Sequence, residues 1–197
     1  METFTRQLDS TFLAISAVCA LLFVLVTAAM LFLLVRYRAE KNPQPADIRG
    51  NRLLETAWMV APTIIALVMF YYGWQSFLGL RSVPPDALPV QVKAMQFAWS
   101  FVYPGGKRSD NLLVVPQNRP VKLTLTSLDV LHGFYIPAFR IKTDVIRNMQ
   151  TYAWFKADRP GTYDIFCTQY CGVGHADMRA TLRIVPEPEY NDWLNTK

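Results

Sequence analysis

Two long apolar runs open the chain, and short segments of alternating character fill the rest. From Phe12 to Val35 no charged residue interrupts the first run, and from Thr56 to Leu78 none interrupts the second. Each is long enough to cross a bilayer as a helix, which takes about 20 residues, so the pattern predicts two membrane spans. Pro62 falls near the start of the second run, and Tyr71, Tyr72 and Trp74 fall toward its end, where aromatic side chains favour the interface. After Arg81 the period shortens to two. VQVKAMQ (90–96), NLLVVP (111–116), VKLTLTS (121–127), TYAWFKA (151–157), GTYDIF (161–166) and ATLRIV (180–185) read as strands separated by turn signals. They predict an antiparallel β-sandwich or barrel, and PEPEYNDWLNTK (186–197) predicts a short terminal helix. The chain thus divides into a membrane α-helical hairpin, 1–80, and an all-β domain, 81–197, which is long enough to bury a core of its own.

Charge orients this arrangement. Arg36, Arg38, Lys41, Arg49 and Arg52 between the two runs face only Glu40 and Asp47, whereas the N-terminal tail offers Arg6 alone. The positive-inside rule places that loop in the cytoplasm and both termini, with the β-domain, on the outer side. The expected location is the bacterial inner (plasma) membrane. The first run is longer than the apolar stretch of a signal peptide and METFTRQLDS before it is not strongly basic, so it reads as a retained span. From Arg81 onward there are 14 Lys and Arg against 10 Asp and Glu. That excess is modest and forms no basic run, which excludes nucleic acid as a partner. No Gly-rich phosphate loop occurs, and no C-x-x-C-H haem-attachment motif. Cys19 lies inside the first span and reads as a small lipid-facing or packing residue. Glu55, at the cytoplasmic edge of the second span, is either a solvated interfacial acid or part of a proton path.

The chemistry concentrates near the C-terminus. CTQYCGVGHADM (167–178) holds Cys167, Cys171, His175 and Met178, with Gln169 between the cysteines; His132 lies upstream, and the chain has no third histidine. Thiolate, imidazole and thioether donors suit copper far better than magnesium or calcium. A zinc site closes a tetrahedron with four donors and leaves Met178 without a role. A mononuclear blue-copper site takes one cysteine, so the second would be surplus. Two cysteines on a tight loop with Gly172 and Gly174 could instead bridge two copper ions through both sulfurs. Each ion would take one histidine, with Met178 and the Gln169 carbonyl as weak ligands. A C-x3-C pair in an oxidising compartment could also be a disulfide.

This constellation resembles the dinuclear copper A centre of the cytochrome c oxidase subunit II family. DVLHGFYIPAFRIKTD (129–144) resembles the family's segment carrying the first histidine, and PGTYDIFCTQYCGVGHADM (160–178) its ligand loop. The resemblance implies that Cys167 and Cys171 bridge two copper ions and that His132 and His175 each bind one. It implies a cupredoxin-like domain that accepts electrons from cytochrome c or another periplasmic carrier. Those electrons pass to haem, held only in subunit I, for oxygen reduction coupled to proton pumping. Subunits I and III and the lipid bilayer are the partners it implies. NRLLETAWMVAP (51–62) resembles the segment whose glutamate stands at the mouth of a proton channel, a role that falls on Glu55. MQFAWSFVY (95–103) resembles the aromatic strand over the copper site. Phe97 stands where many members carry the tryptophan through which electrons enter, and Trp99 matches the second tryptophan.

Gln169 replaces a glutamate whose carboxylate reaches an interfacial magnesium ion in many members. A neutral amide is a poorer ligand for a hard cation, which counts against that magnesium site. Three other readings are weighed against these ligands. A quinol oxidase subunit would lack them, and nitrous oxide reductase would add a large catalytic domain and no pair of spans. A membrane-tethered copper chaperone would not need a second cysteine and histidine at bridging spacing. A net positive domain with Asp129 as the one acid near His132 in sequence would not attract a strongly basic cytochrome c unless acids cluster in three dimensions, so an acidic or membrane-held donor is at least as plausible as cytochrome c.

Overall fold

The computed structural model describes residues 2–44, 47 and 50–196. Two compact units emerge, one of Arg6–Leu78 and one whose body is Gly79–Lys197.

The first unit holds most of α1 (Glu2–Arg36) and α2 (Arg52–Arg81), which contain the two uncharged runs. Their apolar side chains point outward with no protein over them: Phe23, Val26, Phe32, Ile64 and Phe70 are all exposed. That is the surface expected of helices whose backbone polar groups are satisfied internally while their side chains meet lipid. Cys19 is exposed among them. Asn51 caps α2, its Oδ1 accepting from the amides of Leu53 (3.0 Å) and Leu54 (3.2 Å). Pro62 sits inside α2 and removes one helical amide donor; one residue on, Thr63 Oγ1 donates to the Met59 carbonyl at 2.7 Å. Arg36, Arg38, Lys41 and Arg52 mark the polar ends of the spans; Arg49, expected in the same basic loop, lies outside the described residues.

The second unit is a β-sandwich. One sheet has the order β3-β2-β1-β5-β8 and the other β4-β10-β9-β6-β7. These strands are β1 (Leu88–Met95), β2 (Ala98–Val102), β3 (Arg108–Asp110), β4 (Leu112–Pro116), β5 (Pro120–Ser127), β6 (His132–Ile136), β7 (Ile141–Val145), β8 (Thr151–Lys156), β9 (Gly161–Cys167) and β10 (Arg179–Val185). The sheets are mixed, not purely antiparallel as the strand pattern alone suggested: β1 runs parallel to β5, and β4 parallel to β10. The reason is that β1 and β5, like β4 and β10, are joined through intervening strands and not by a hairpin. Alternation places one face of each strand in the core. Leu88, Val90, Val92 and Ala94 of β1 meet Val121, Leu123 and Leu125 of β5, and Trp99, Phe101 and Phe134 fill the interior.

The predicted terminal helix is α3 (Glu187–Asn195). Lys107 closes its C-terminal end, donating to the carbonyls of Trp193 (2.6 Å) and Thr196 (2.5 Å) while its ammonium lies 4.6 Å from the Trp193 ring.

Candidate metal centre

Hydrogen-bonded strands bring the donors together. β9 ends at Cys167, and the loop 168–178 returns to β10, closed at its base by Cys167 N donating to the Met178 carbonyl at 3.2 Å. β6 pairs antiparallel with β9, Phe134 opposite Cys167, so His132 at the start of β6 reaches the same loop. Cys167 and Cys171 are free thiols with their sulfurs 3.9 Å apart. Each sulfur has its own companions. Cys167 Sγ lies 3.9 Å from His132 Nδ1 and 3.3 Å from the Gln169 carbonyl. Cys171 Sγ lies 3.6 Å from His175 Nδ1 and 3.8 Å from Met178 Sδ. His132, Cys167, Cys171 and Met178 are buried, while His175 is half-buried.

Those separations match edges of ligand polyhedra rather than direct bonds. With metal–sulfur bonds of about 2.3 Å and metal–nitrogen bonds of about 2.0 Å, tetrahedral edges come to roughly 3.5–3.8 Å. Two sulfurs at the centre, with one imidazole and one weak donor beside each, form a doubled set of soft and borderline donors, of the kind that would suit copper. A single zinc would leave donors unused.

Asp129 prepares one imidazole. Its Oδ1 accepts from His132 Nε2 at 2.8 Å, so the proton sits on Nε2 and the lone pair of Nδ1 faces the sulfurs. Burial pushes the Asp129 carboxyl up, but hydrogen bonds from His132 and from the amides of Gln96 and Val130 outweigh it and hold the group at about 2. The carboxylate is therefore ionised at any physiological pH. Burial raises Cys171 to about 11, with the neighbouring Cys167 adding to the push. A metal held through that sulfur would have to displace the proton, so loading would release acid and weaken as the pH falls.

The aromatic residues lie where they can touch the ligand loop. A β-carbon added to Gly174 would sit 2.5 Å from Phe97 Cδ2, and one on Gly172 3.0 Å from Phe97 Cζ, so the Phe97 ring rests on the glycines of the loop. Phe97 remains 37% exposed. Gln96 Nε2 donates to the Cys171 carbonyl at 2.5 Å, tying the same turn to the loop. Trp99 is fully buried, its ring edge-on to His132 with centroids 6.1 Å apart. Tyr170, which is exposed, packs against His175 at 5.8 Å between ring centroids.

Three placements qualify the sequence reading. The Gln169 side chain points its Nε2 toward Asp144 Oδ1 at 3.5 Å, an amide facing a carboxylate. Glu55 lies in the first turn of α2, in the other unit. Asp129 and Gln96 were not foreseen as supports. The only sequence signal for Asp129 is an acid three residues before His132, and Gln96 reaches Cys171 across 75 residues of chain.

Comparison with known proteins finds two family matches: "Cytochrome C oxidase subunit II, transmembrane domain" over residues 3–75, and "Cytochrome C oxidase subunit II, periplasmic domain" over residues 106–185. The "Alternative cytochrome c oxidase subunit 2" of Bradyrhizobium diazoefficiens is 32% identical over 206 residues, covering 87% of this chain and 73% of the relative. The "Probable cytochrome c oxidase subunit 2" of Rickettsia prowazekii is 28% identical over 197 residues, and there the match covers 88% of this chain but 63% of the relative's length. Among solved structures, the periplasmic domain of subunit II of cytochrome oxidase from Bradyrhizobium japonicum is similar with a TM-score of 0.55 at 32% identity, covering 57% of this chain and 94% of that one.

Proposed function

Because the chain belongs to the cytochrome c oxidase subunit II family, we propose that residues 81–197 hold a dinuclear copper A centre where electrons enter a respiratory haem-copper oxidase. The doubled donor set around Cys167 and Cys171 carries this reading. His132, His175, Met178 and the Gln169 carbonyl complete it. Bound copper supplies a one-electron couple.

The chain's own residues hold and orient. Two packed sheets fix the ends of the ligand loop, so the donors keep their places when the charge at the centre changes. Asp129 fixes the tautomer and tilt of His132, and buried Trp99 backs the same ring. Phe97, partly exposed and pressed on Gly172 and Gly174, offers a contact between the surface and the loop, and is the proposed point at which electrons arrive. Electrons continue to haem in subunit I; subunit III and the lipid bilayer are the other proposed neighbours. The domain faces the periplasm, with both termini on that side. The net positive charge of the domain favours a neutral, acidic or membrane-held donor over a strongly basic cytochrome c.

A copper chaperone gains nothing from a second cysteine and histidine in this register. Oxygen uptake by the assembled oxidase, driven by a reduced protein carrier, is expected to fall to background when copper is stripped from this chain and to return when copper is restored. Uptake that persists without copper contradicts the proposal.

Glu55 is proposed as the acid at the mouth of a proton path completed by subunit I. Its carboxylate lies over Gly50, close enough that a β-carbon there would sit 3.0 Å from Oε1. Glu55→Gln is expected to slow oxygen uptake several-fold and leave the copper spectrum unchanged. Wild-type turnover and proton uptake in that variant would return Glu55 to the role of a solvated interfacial acid.

A further inference from the structure

We infer that Gly133 and Thr168 are a steric pair that sets how closely the ligand loop approaches β6, making both of them positioning residues for the metal centre. Each follows a ligand directly, Gly133 after His132 and Thr168 after Cys167. The inference rests on the copper reading above.

Register explains why this pair matters. The β6–β9 ladder sets Phe134 opposite Cys167, and just past its end the Thr168 amide donates to the Gly133 carbonyl at 2.9 Å. A β-carbon on Gly133 would lie 2.3 Å from Thr168 Oγ1, 3.1 Å from the Gln169 amide nitrogen and 3.2 Å from Gln169 Cγ. No ordinary contact is that close to Oγ1. Any side chain at 133 must therefore push away the residue between Cys167 and the carbonyl of Gln169.

Backbone conformation does not account for the glycine. Gly133 is absent from the residues with positive φ, unlike Gly172 on the same loop, so an L side chain is compatible with its strand geometry. Glycine inside a strand otherwise weakens it, and commonly marks a close approach of another segment. The approaching group here is the Thr168 hydroxyl. Among the described residues that buried oxygen has no hydrogen-bond partner, so it occupies the space without being held there by a bond. The fit is one of volume, and volume can be exchanged across the pair.

The test uses the full chain in detergent, with copper content, the EPR spectrum of the loaded chain, and hydrogen exchange at the Thr168 amide of the copper-free chain. Gly133→Ala is expected to weaken copper retention by about tenfold, the scale of a displaced residue behind a metal ligand, and to change the hyperfine pattern. In the copper-free chain it should speed exchange at Thr168. Thr168→Ala alone should leave all three readouts near wild type. Gly133→Ala with Thr168→Ala should return them toward wild type, because removing Oγ1 leaves only the two milder contacts with Gln169. Gly133→Ala with Thr168→Val, which keeps the volume, should not. A Gly133→Ala chain indistinguishable from wild type, or a double alanine variant no closer to wild type than the single, overturns the inference. Should Gly133→Ala fail to fold, the double alanine variant decides: folding with copper bound supports the pair, and failure overturns it. A wild-type chain that binds no copper pair would sink the copper reading, while the exchange data would still judge the steric pair.

Discussion

Cys171→Ser is expected to reduce the bound copper from two ions per chain to one and to abolish delivery of electrons from the carrier. Cys171 Sγ lies beside three donors: 3.9 Å from Cys167 Sγ, 3.6 Å from His175 Nδ1 and 3.8 Å from Met178 Sδ. A serine hydroxyl fills nearly the same buried space but is a hard, weakly acidic donor that does not replace a bridging thiolate. What remains intact is the set on the other side, His132, Cys167 and the Gln169 carbonyl, which suits a single ion. Metal analysis and EPR of the variant in detergent check this. Retention of two coppers with an unpaired electron shared between them would show that Cys171 is not a bridge.

Asp129→Ala is expected to weaken copper binding by about 10- to 100-fold while the β-domain stays folded. The carboxylate accepts from His132 Nε2 at 2.8 Å, Gln96 N at 2.7 Å and Val130 N at 2.6 Å. Alanine removes all three at once. The imidazole then loses the partner that keeps its proton on Nε2, and the turn carrying Gln96 and Phe97 loses its tie to the β5–β6 loop. Asp129→Asn retains an acceptor oxygen and is expected to fall between wild type and alanine. The direction of pH dependence follows from the depressed carboxyl. Its contribution is complete above the ordinary value of 3.8 and fades only as the pH drops toward about 2, so it is constant across the physiological range. Competition with a chelator of known copper affinity gives the ratio. Equal affinity in wild type and Asp129→Ala would assign the carboxylate to the surface alone.

The membrane hairpin and the donors were open to a reader of the chain because each rests on a local signal. An uncharged run of sufficient length can only be satisfied in lipid or a core, and cysteine, histidine and methionine have few reasons to gather on one short loop. Long-range pairing has no such signal. Neither the parallel neighbours β1 and β5 nor β4 and β10 could be inferred from alternation, since alternation tells which face is buried but not which strand lies alongside. β6 hides in HGFYI, where apolar and polar residues do not alternate, and β7 in IKTDV, where only the two end residues are buried. The supports of the centre are hidden for the same reason. The Gln96 amide meets the Cys171 carbonyl, and Thr168 meets Gly133, only after two distant segments have been laid side by side. Asp129 and His132 are close in sequence, yet their contact depends on the turn that Ser127 and Val130 build around the carboxylate, Ser127 Oγ donating to the Val130 carbonyl at 2.5 Å.

The most direct test of the copper pair is the copper content and EPR spectrum of the full chain in detergent, loaded with copper and partly oxidised. Two coppers per chain sharing one unpaired electron, seen as a seven-line hyperfine pattern, is the predicted result. One copper with a four-line pattern, or a chain that takes up zinc or forms a Cys167–Cys171 disulfide and binds no copper, would contradict it.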